Sequence, residues 1–187
     1  SVDRPLDPVR FALGCGATFI ARTIDTHQKH MLAVFEAAAK HKGTAFVEIY
    51  QNCNIFNDGA FKSFTEKSAR DDRTVRLEHG KPLVFGGEQK KGLRWTADHE
   101  VETVTLGNGI SERDLIVWDE TAENPSLAMA LASLSESAMP VPIGVFRDYP
   151  VSTFEDTMQK QVTDARAKKG EGTLEKLIYS GELWDVT

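Results

Sequence analysis

Cysteine is scarce: Cys15 and Cys53 are the only two thiols in 187 residues. Two cysteines are too few for a disulfide scaffold, and their rarity points to a reducing compartment, so a cytoplasmic location is expected. No CxxC pair accompanies either thiol, so this chain alone cannot assemble a four-thiolate metal site. No apolar run reaches the roughly 20 residues of a membrane span, and Ser1-Val2-Asp3-Arg4-Pro5 shows no apolar signal-peptide core; no membrane partner is expected. The formal net charge is -6, with both signs interspersed. A nucleic-acid binder would need a basic stripe, which is missing. Walker, GxGxxG, GxSxG and HExxH motifs are also absent, as are internal repeats and low-complexity tracts.

At 41% hydrophobic the chain can bury a core of ordinary size. Asp7 to Gly14 reads as a short helix with Pro8 in its first turn, where the missing N–H costs nothing. Ala17 to Ile24 is rich in β-formers and predicts a buried strand. Asp25 or Thr26 is placed to cap the next helix, whose apolar face is predicted to be Met31, Leu32, Phe35 and Ala39. Lys40-His41-Lys42 suits the negative end of that helix, His41 as a dipole partner, with Gly43 in the left-handed position beyond it. Thr44 to Tyr50 is a second strand. Strand, helix and strand with short joints make a βαβ unit and a parallel pair.

Beyond Tyr50 the chain turns polar through Gln51 to Gly59. Ala60 to Ala69 predicts a short helix. Thr74 to Leu77, Leu83 to Phe85 and Leu93 to Thr96 are short strands expected in one small antiparallel patch, with Val101 to Leu106 another strand. Asn124 to Ser137 predicts a helix with Pro125 at its first position and Leu127, Leu131 and Leu134 on one face; Ile143 to Phe146 is a last strand. Helices over Phe154 to Lys169, ended by Gly170, and over Thr173 to Tyr179 complete the chain. The expected division is an α/β domain over 1–148 and a helical tail over 149–187. The tail has few large apolar residues and either wraps a neighbouring subunit or packs as an ordinary surface helix.

Cys53 is the most informative position. It lies just past the C-terminal end of the second strand of the βαβ unit, where open α/β sheets gather ligands. A thiol there is placed to ligate metal or act as a nucleophile, while a small buried structural cysteine is the simpler alternative. Cys15, between two glycines, is placed either as a second cluster ligand or, as the simpler reading, as a small residue in a tight turn. His27 and His30 could share a helix face as zinc pairs do, but without HExxH a solvated face is expected. Asn57-Asp58-Gly59 and Gly107-Asn108-Gly109 read as turns. Glu48 and Asp98 are carboxylates with no visible partner.

Three blocks carry a resemblance. They are Phe11-Ala-Leu-Gly-Cys-Gly-Ala-Thr-Phe-Ile-Ala-Arg-Thr-Ile-Asp; Phe46-Val-Glu-Ile-Tyr-Gln-Asn-Cys-Asn-Ile-Phe-Asn-Asp-Gly; and the tail Pro142-Ile-Gly-Val-Phe-Arg, Lys168-Lys-Gly-Glu-Gly and Ser180-Gly-x-x-Trp184. Together they resemble the β subunit of 2-oxoacid:ferredoxin oxidoreductases, and Gln51-Asn-Cys-Asn-Ile-Phe-Asn-Asp-Gly is specific to the 2-oxoglutarate branch. The resemblance implies the C-terminal part of a thiamine-diphosphate-binding fold, α/β with a parallel sheet flanked by helices and a C-terminal helical tail. It implies thiamine diphosphate, Mg²⁺ and a [4Fe–4S] cluster in the complete subunit. It also implies an α or fused αγ partner subunit, ferredoxin as electron acceptor, and oxidative decarboxylation of a 2-oxoacid with coenzyme A to acyl-CoA and CO₂.

By the family pattern Cys53 matches the cluster cysteine remote from the others, with Asn52 and Asn54 as outer-shell contacts or simple turn formers. The Gly-Asp-Gly motif that holds Mg²⁺ and the diphosphate does not occur in this sequence. The chain is therefore expected to be a fragment, inactive alone and without a catalytic residue of its own. A non-catalytic α/β module that binds a partner subunit, and the pyruvate or branched-chain 2-oxoacid enzyme, are the alternatives.

Overall fold

The structure is a computed structural model that describes residues 2, 5–134, 138–184 and 186. Two compact units divide the chain, 1–150 and 151–187.

In the first unit α1 (Pro8–Gly14) starts where Asp7 Oδ1 accepts from Arg10 N at 2.8 Å, and Pro8 occupies its first turn. Then β1 (Phe19–Ile24), α2 (Gln28–Lys40) and β2 (Ala45–Tyr50) form the expected βαβ unit. The strands pair in parallel, Phe19 opposite Ala45 through Ile24 opposite Tyr50. All of β1 is buried, as a strand covered on both faces should be.

The segment predicted as one helix over Ala60 to Ala69 is two, α3 (Lys62–Thr65) and α4 (Lys67–Arg73), separated by Glu66 in extended backbone. β3 (Thr74–Leu77) does not join the small antiparallel patch. It pairs in parallel with β7 (Val141–Asp148), which runs antiparallel to β1, giving the sheet order β2-β1-β7-β3. The fold is thus α/β, with parallel pairs flanked by helices and one antiparallel joint. Length explains the misplacement of β3: four residues with Val75 and Leu77 buried suit either sheet, and only the long-range partner decides.

β4 (Val84–Phe85), β5 (Lys91–Trp95) and β6 (Val101–Thr105) form the antiparallel patch. α5 (Ser126–Ala132) is shorter than predicted. Pro125 is its N-cap, Asn124 Oδ1 accepts from Ser126 N and Oγ, and the end of the prediction at 135–137 lies outside the described residues.

The main core joins α1, α5, both sheets and Trp118, which is 1% exposed and donates from Nε1 to the Val145 carbonyl at 3.0 Å. On the opposite face of the larger sheet, α2 packs Val34, Ala37 and Ala38 against Phe19, Ala21, Val47 and Val145. The predicted apolar face of α2 is therefore wrong: Leu32 and Phe35 are exposed, and the packed residues lie on the neighbouring stripe. Small side chains win there because they let the helix sit close to the sheet.

The second unit contains α6 (Phe154–Lys169), with Thr153 accepting from Asp156 N, and α7 (Leu174–Ile178), with Thr173 accepting from Lys176 N. Gly170 ends α6 at φ +79°. Phe154, Met158 and Val162 recur at every fourth position of α6 and are exposed. Among the described residues, no helix is long and apolar enough to cross a membrane.

Candidate functional site

The loop after β2 is built by its own polar side chains. Asn52 Nδ2 donates to Asn54 Oδ1 at 2.6 Å and to Asp58 Oδ1 at 2.8 Å, while Asn52 Oδ1 accepts from Gly59 N at 2.8 Å. The Asn57 N–H donates to the Cys53 carbonyl at 3.1 Å. Asn52 and Asn54 thus brace the loop, and both N–H groups of the Asn52 amide are used within it.

Within this frame the backbone N–H groups of Phe56 and Ile55, and more weakly that of Asn57, which is given to the Cys53 carbonyl, lie beside the Cys53 thiol. They hold its pKa below the ordinary thiol value, outweighing a small opposing effect of burial. Cys53 is exposed in this chain. Beside it Ile55 and Phe56 are 86% and 89% exposed. Two large apolar side chains in a polar turn were the sequence signal, and reading the loop as uniformly polar missed them. Cys15 is an exposed helix-end residue.

The donor set bears directly on a metal. Among the described residues no group of three or more His, Cys, Asp or Glu could hold a metal ion. Cys53 with its N–H donors fits one ligand of an iron–sulfur cluster, since such donors stabilise a thiolate and tune cluster sulfur. Among the described residues there is neither a complete cage nor a carboxylate set for Mg²⁺.

Several residues expected to be solvated or unpaired are engaged. Glu48 is not a lone carboxylate: its Oε2 accepts from Arg22 Nε at 2.6 Å. His41 is not a surface dipole partner. Its side chain is 2% exposed, with Nε2 2.9 Å from Thr18 Oγ1 and Nδ1 2.7 Å from Asp148 Oδ1, so it ties the end of α2 to the start of β1 and the end of β7. Gly43 has φ +128°, outside the left-handed helical region, because the chain already leaves α2 through extended backbone at His41. Neither Asp25 nor Thr26 caps α2; the N-cap is His27, with no side-chain cap bond.

His27 and His30 do not form a solvated face. Their rings stack at 5.2 Å, and His30 Nδ1 lies 2.8 Å from Thr23 Oγ1. Burial, then His27 and Arg76, lower the pKa of His30 to about 4.

No family model matches the chain. Over its whole length it is 34% identical to the 2-oxoglutarate oxidoreductase subunit KorB of Mycobacterium tuberculosis, of which it covers 50%. It is 24% identical to the 2-oxoacid:ferredoxin oxidoreductase 1 subunit beta of Aeropyrum pernix, with 83% of the chain and 38% of that protein aligned. A solved structure of 2-oxoglutarate:ferredoxin oxidoreductase from Magnetococcus marinus, with 2-oxoglutarate, coenzyme A and succinyl-CoA bound, covers 98% of the chain with 47% of its own. Its TM-score is 0.57 at 17% identity, a likeness of fold. The chain spans about half the length, or less, of the relatives it matches.

Proposed function

We propose that this chain, which belongs to the 2-oxoacid:ferredoxin oxidoreductase β-subunit family, is the C-terminal half of a 2-oxoglutarate-type β subunit and supplies one thiolate, Cys53, to its iron–sulfur cluster. The exposed Cys53 thiol on the loop after β2, its thiolate favoured by the neighbouring backbone N–H groups of Phe56 and Ile55, carries the reading. The proposed reaction is oxidative decarboxylation of 2-oxoglutarate with coenzyme A to an acyl-CoA, CO₂ and reduced ferredoxin, in a cytoplasmic complex with an α or αγ subunit. When bound, thiamine diphosphate would supply the decarboxylation chemistry and the cluster would pass electrons on singly.

The part of this chain is narrower. Asn52 and Asn54 hold the loop in which the backbone N–H groups of Phe56 and Ile55 favour the Cys53 thiolate. Ile55 and Phe56 would keep water from the metal-facing side once the missing half is in place. The exposed apolar row Phe154, Met158 and Val162 of α6 would lie on a partner subunit.

The test is anaerobic reconstitution of the complete subunit with its partner, as wild type and Cys53→Ala. We expect the variant to lose most bound iron and sulfide together with 2-oxoglutarate-dependent ferredoxin reduction. Unchanged iron, sulfide and electron transfer would overturn the ligand assignment. The same assay with pyruvate and branched-chain 2-oxoacids decides the substrate.

A further inference from the structure

A cavity of about 540 Å³ opens beside α2 over β3 and β7, and no residue of the Cys53 loop lines it. Its floor is apolar, from Ala33, Val34 and Val145, and its rim carries His27, Lys29, His30 and Arg76. Among the described residues Arg76 and Lys29 make no ion pair and no side-chain hydrogen bond. Glu78, the one acid on the wall, is paired with Lys81 at 3.0 Å. The rim carries more positive than negative groups: Arg70 and Arg76 act on the two imidazoles, opposed by Asp71 at His27 and by Glu78 at His30.

Two further features lie at this rim. His27 lines the rim, and its Nδ1 is buried with no hydrogen-bond partner. The first turn of α2, a helix of 13 residues, has no side-chain cap, so its N–H groups and helix dipole favour an anion there.

The occupant follows from β3. Val75 and Leu77 are buried on one face, whereas Arg76 and Glu78 alternate with them, exposed, towards the cavity. A covering apolar helix would bury that guanidinium without a partner, at a high desolvation cost. A bare phosphate would leave the apolar floor unused.

We propose that this cavity binds a small organic carboxylate with a short aliphatic body. Arg76 receives the carboxylate in its planar fork. His27 and Lys29 donate to the same group from the start of α2. The aliphatic body lies on Ala33, Val34 and Val145. The site is independent of any role for Cys53, because none of its residues belongs to that loop.

The probe is butyrate, with inorganic phosphate as comparison, titrated into the full chain while the His27 and His30 ring protons and the Gly144 amide are followed by NMR. We expect saturable shifts at all three, half-complete at about 1 mM butyrate or below, weaker binding of phosphate, and a rise in the His30 titration midpoint with ligand bound. Arg76→Gln should weaken butyrate at least about tenfold with an unchanged melting temperature, since Arg76 is exposed, and Arg76→Lys should retain part of the affinity. The proposal is overturned by non-saturable shifts, by equal binding to Arg76→Gln, or by phosphate binding where butyrate does not.

Discussion

Arg22 and Glu48 meet across the β1–β2 pair at 2.6 Å, with the Arg22 side chain only 5% exposed. The guanidinium lies between the Tyr50 and Phe146 rings, 5.4 Å and 5.2 Å from their centroids, and its Nη2 is 3.9 Å from Asp7 Oδ1. One buried cation thus ties β1 to β2, to β7 and to the cap of α1.

Removing one partner of a buried pair leaves the other charge uncompensated, which costs more than the pair itself contributes. We expect Glu48→Ala to destabilise the chain by about 3 kcal/mol, and a paired Arg22→Met, Glu48→Leu variant to recover most of that loss. Urea unfolding of the three chains measures this. A single variant as stable as wild type would show that Asp7 alone balances the cation.

Much of this was open to sequence reasoning and some was not. The βαβ unit was legible because β1, α2 and β2 follow one another with short joints, so local periodicity suffices. The parallel register places Arg22 opposite Glu48, yet Glu48 read as unpaired because register is a property of two strands together. His41 was hidden for the same reason: its partners Thr18 and Asp148 lie 23 and 107 residues away. β3 went to the wrong sheet because its partner β7 is more than sixty residues distant. At the candidate site the place of Cys53 on the loop after β2 was legible, but which backbone N–H groups lie beside its thiol was not, since backbone direction in a turn is invisible in residue type.

His30 makes stability depend on pH. Burial, with His27 and Arg76 adding to it and Glu78 opposing, holds its folded pKa near 4 against 6.5 for the free side chain. Between these values the unfolded chain binds a proton that the folded chain refuses, so stability falls as pH drops from 6.5 towards 4. Above 6.5 the contribution is fully present. Urea midpoints over this window should fall for wild type and run flatter for His30→Gln. Parallel curves would mean that the imidazole protonates in place.

Gly144 is fixed by its neighbours. Its φ is +125°, and an added Cβ would come within 2.7 Å of the Leu77 carbonyl oxygen on the paired strand β3. The contact is with backbone, which cannot swing aside as a side chain could. Gly144→Ala should therefore cost roughly 3 kcal/mol, combining unfavourable dihedrals with a strained β3–β7 pair. Thermal unfolding measures it, and Gly14→Ala, where nothing lies within 4 Å of the added carbon, is the control that should change little.

Cys53 should show an altered reactivity that needs no metal to observe. Thiolate is the nucleophile, and the Phe56, Ile55 and Asn57 N–H groups stabilise it. The pH profile of iodoacetamide alkylation at Cys53, followed on its own peptide, should therefore turn upward below the ordinary thiol pKa of 9.0. Asn52→Ala removes the hydrogen bonds to Asn54, Asp58 and Gly59 that hold the loop. The donors then lose their common aim, and the inflection should move up towards that of a free thiol. A wild-type inflection at or above 9.0, or one that ignores Asn52→Ala, would mean that the loop does not preorganise a thiolate and that Cys53 meets any metal as an unassisted ligand.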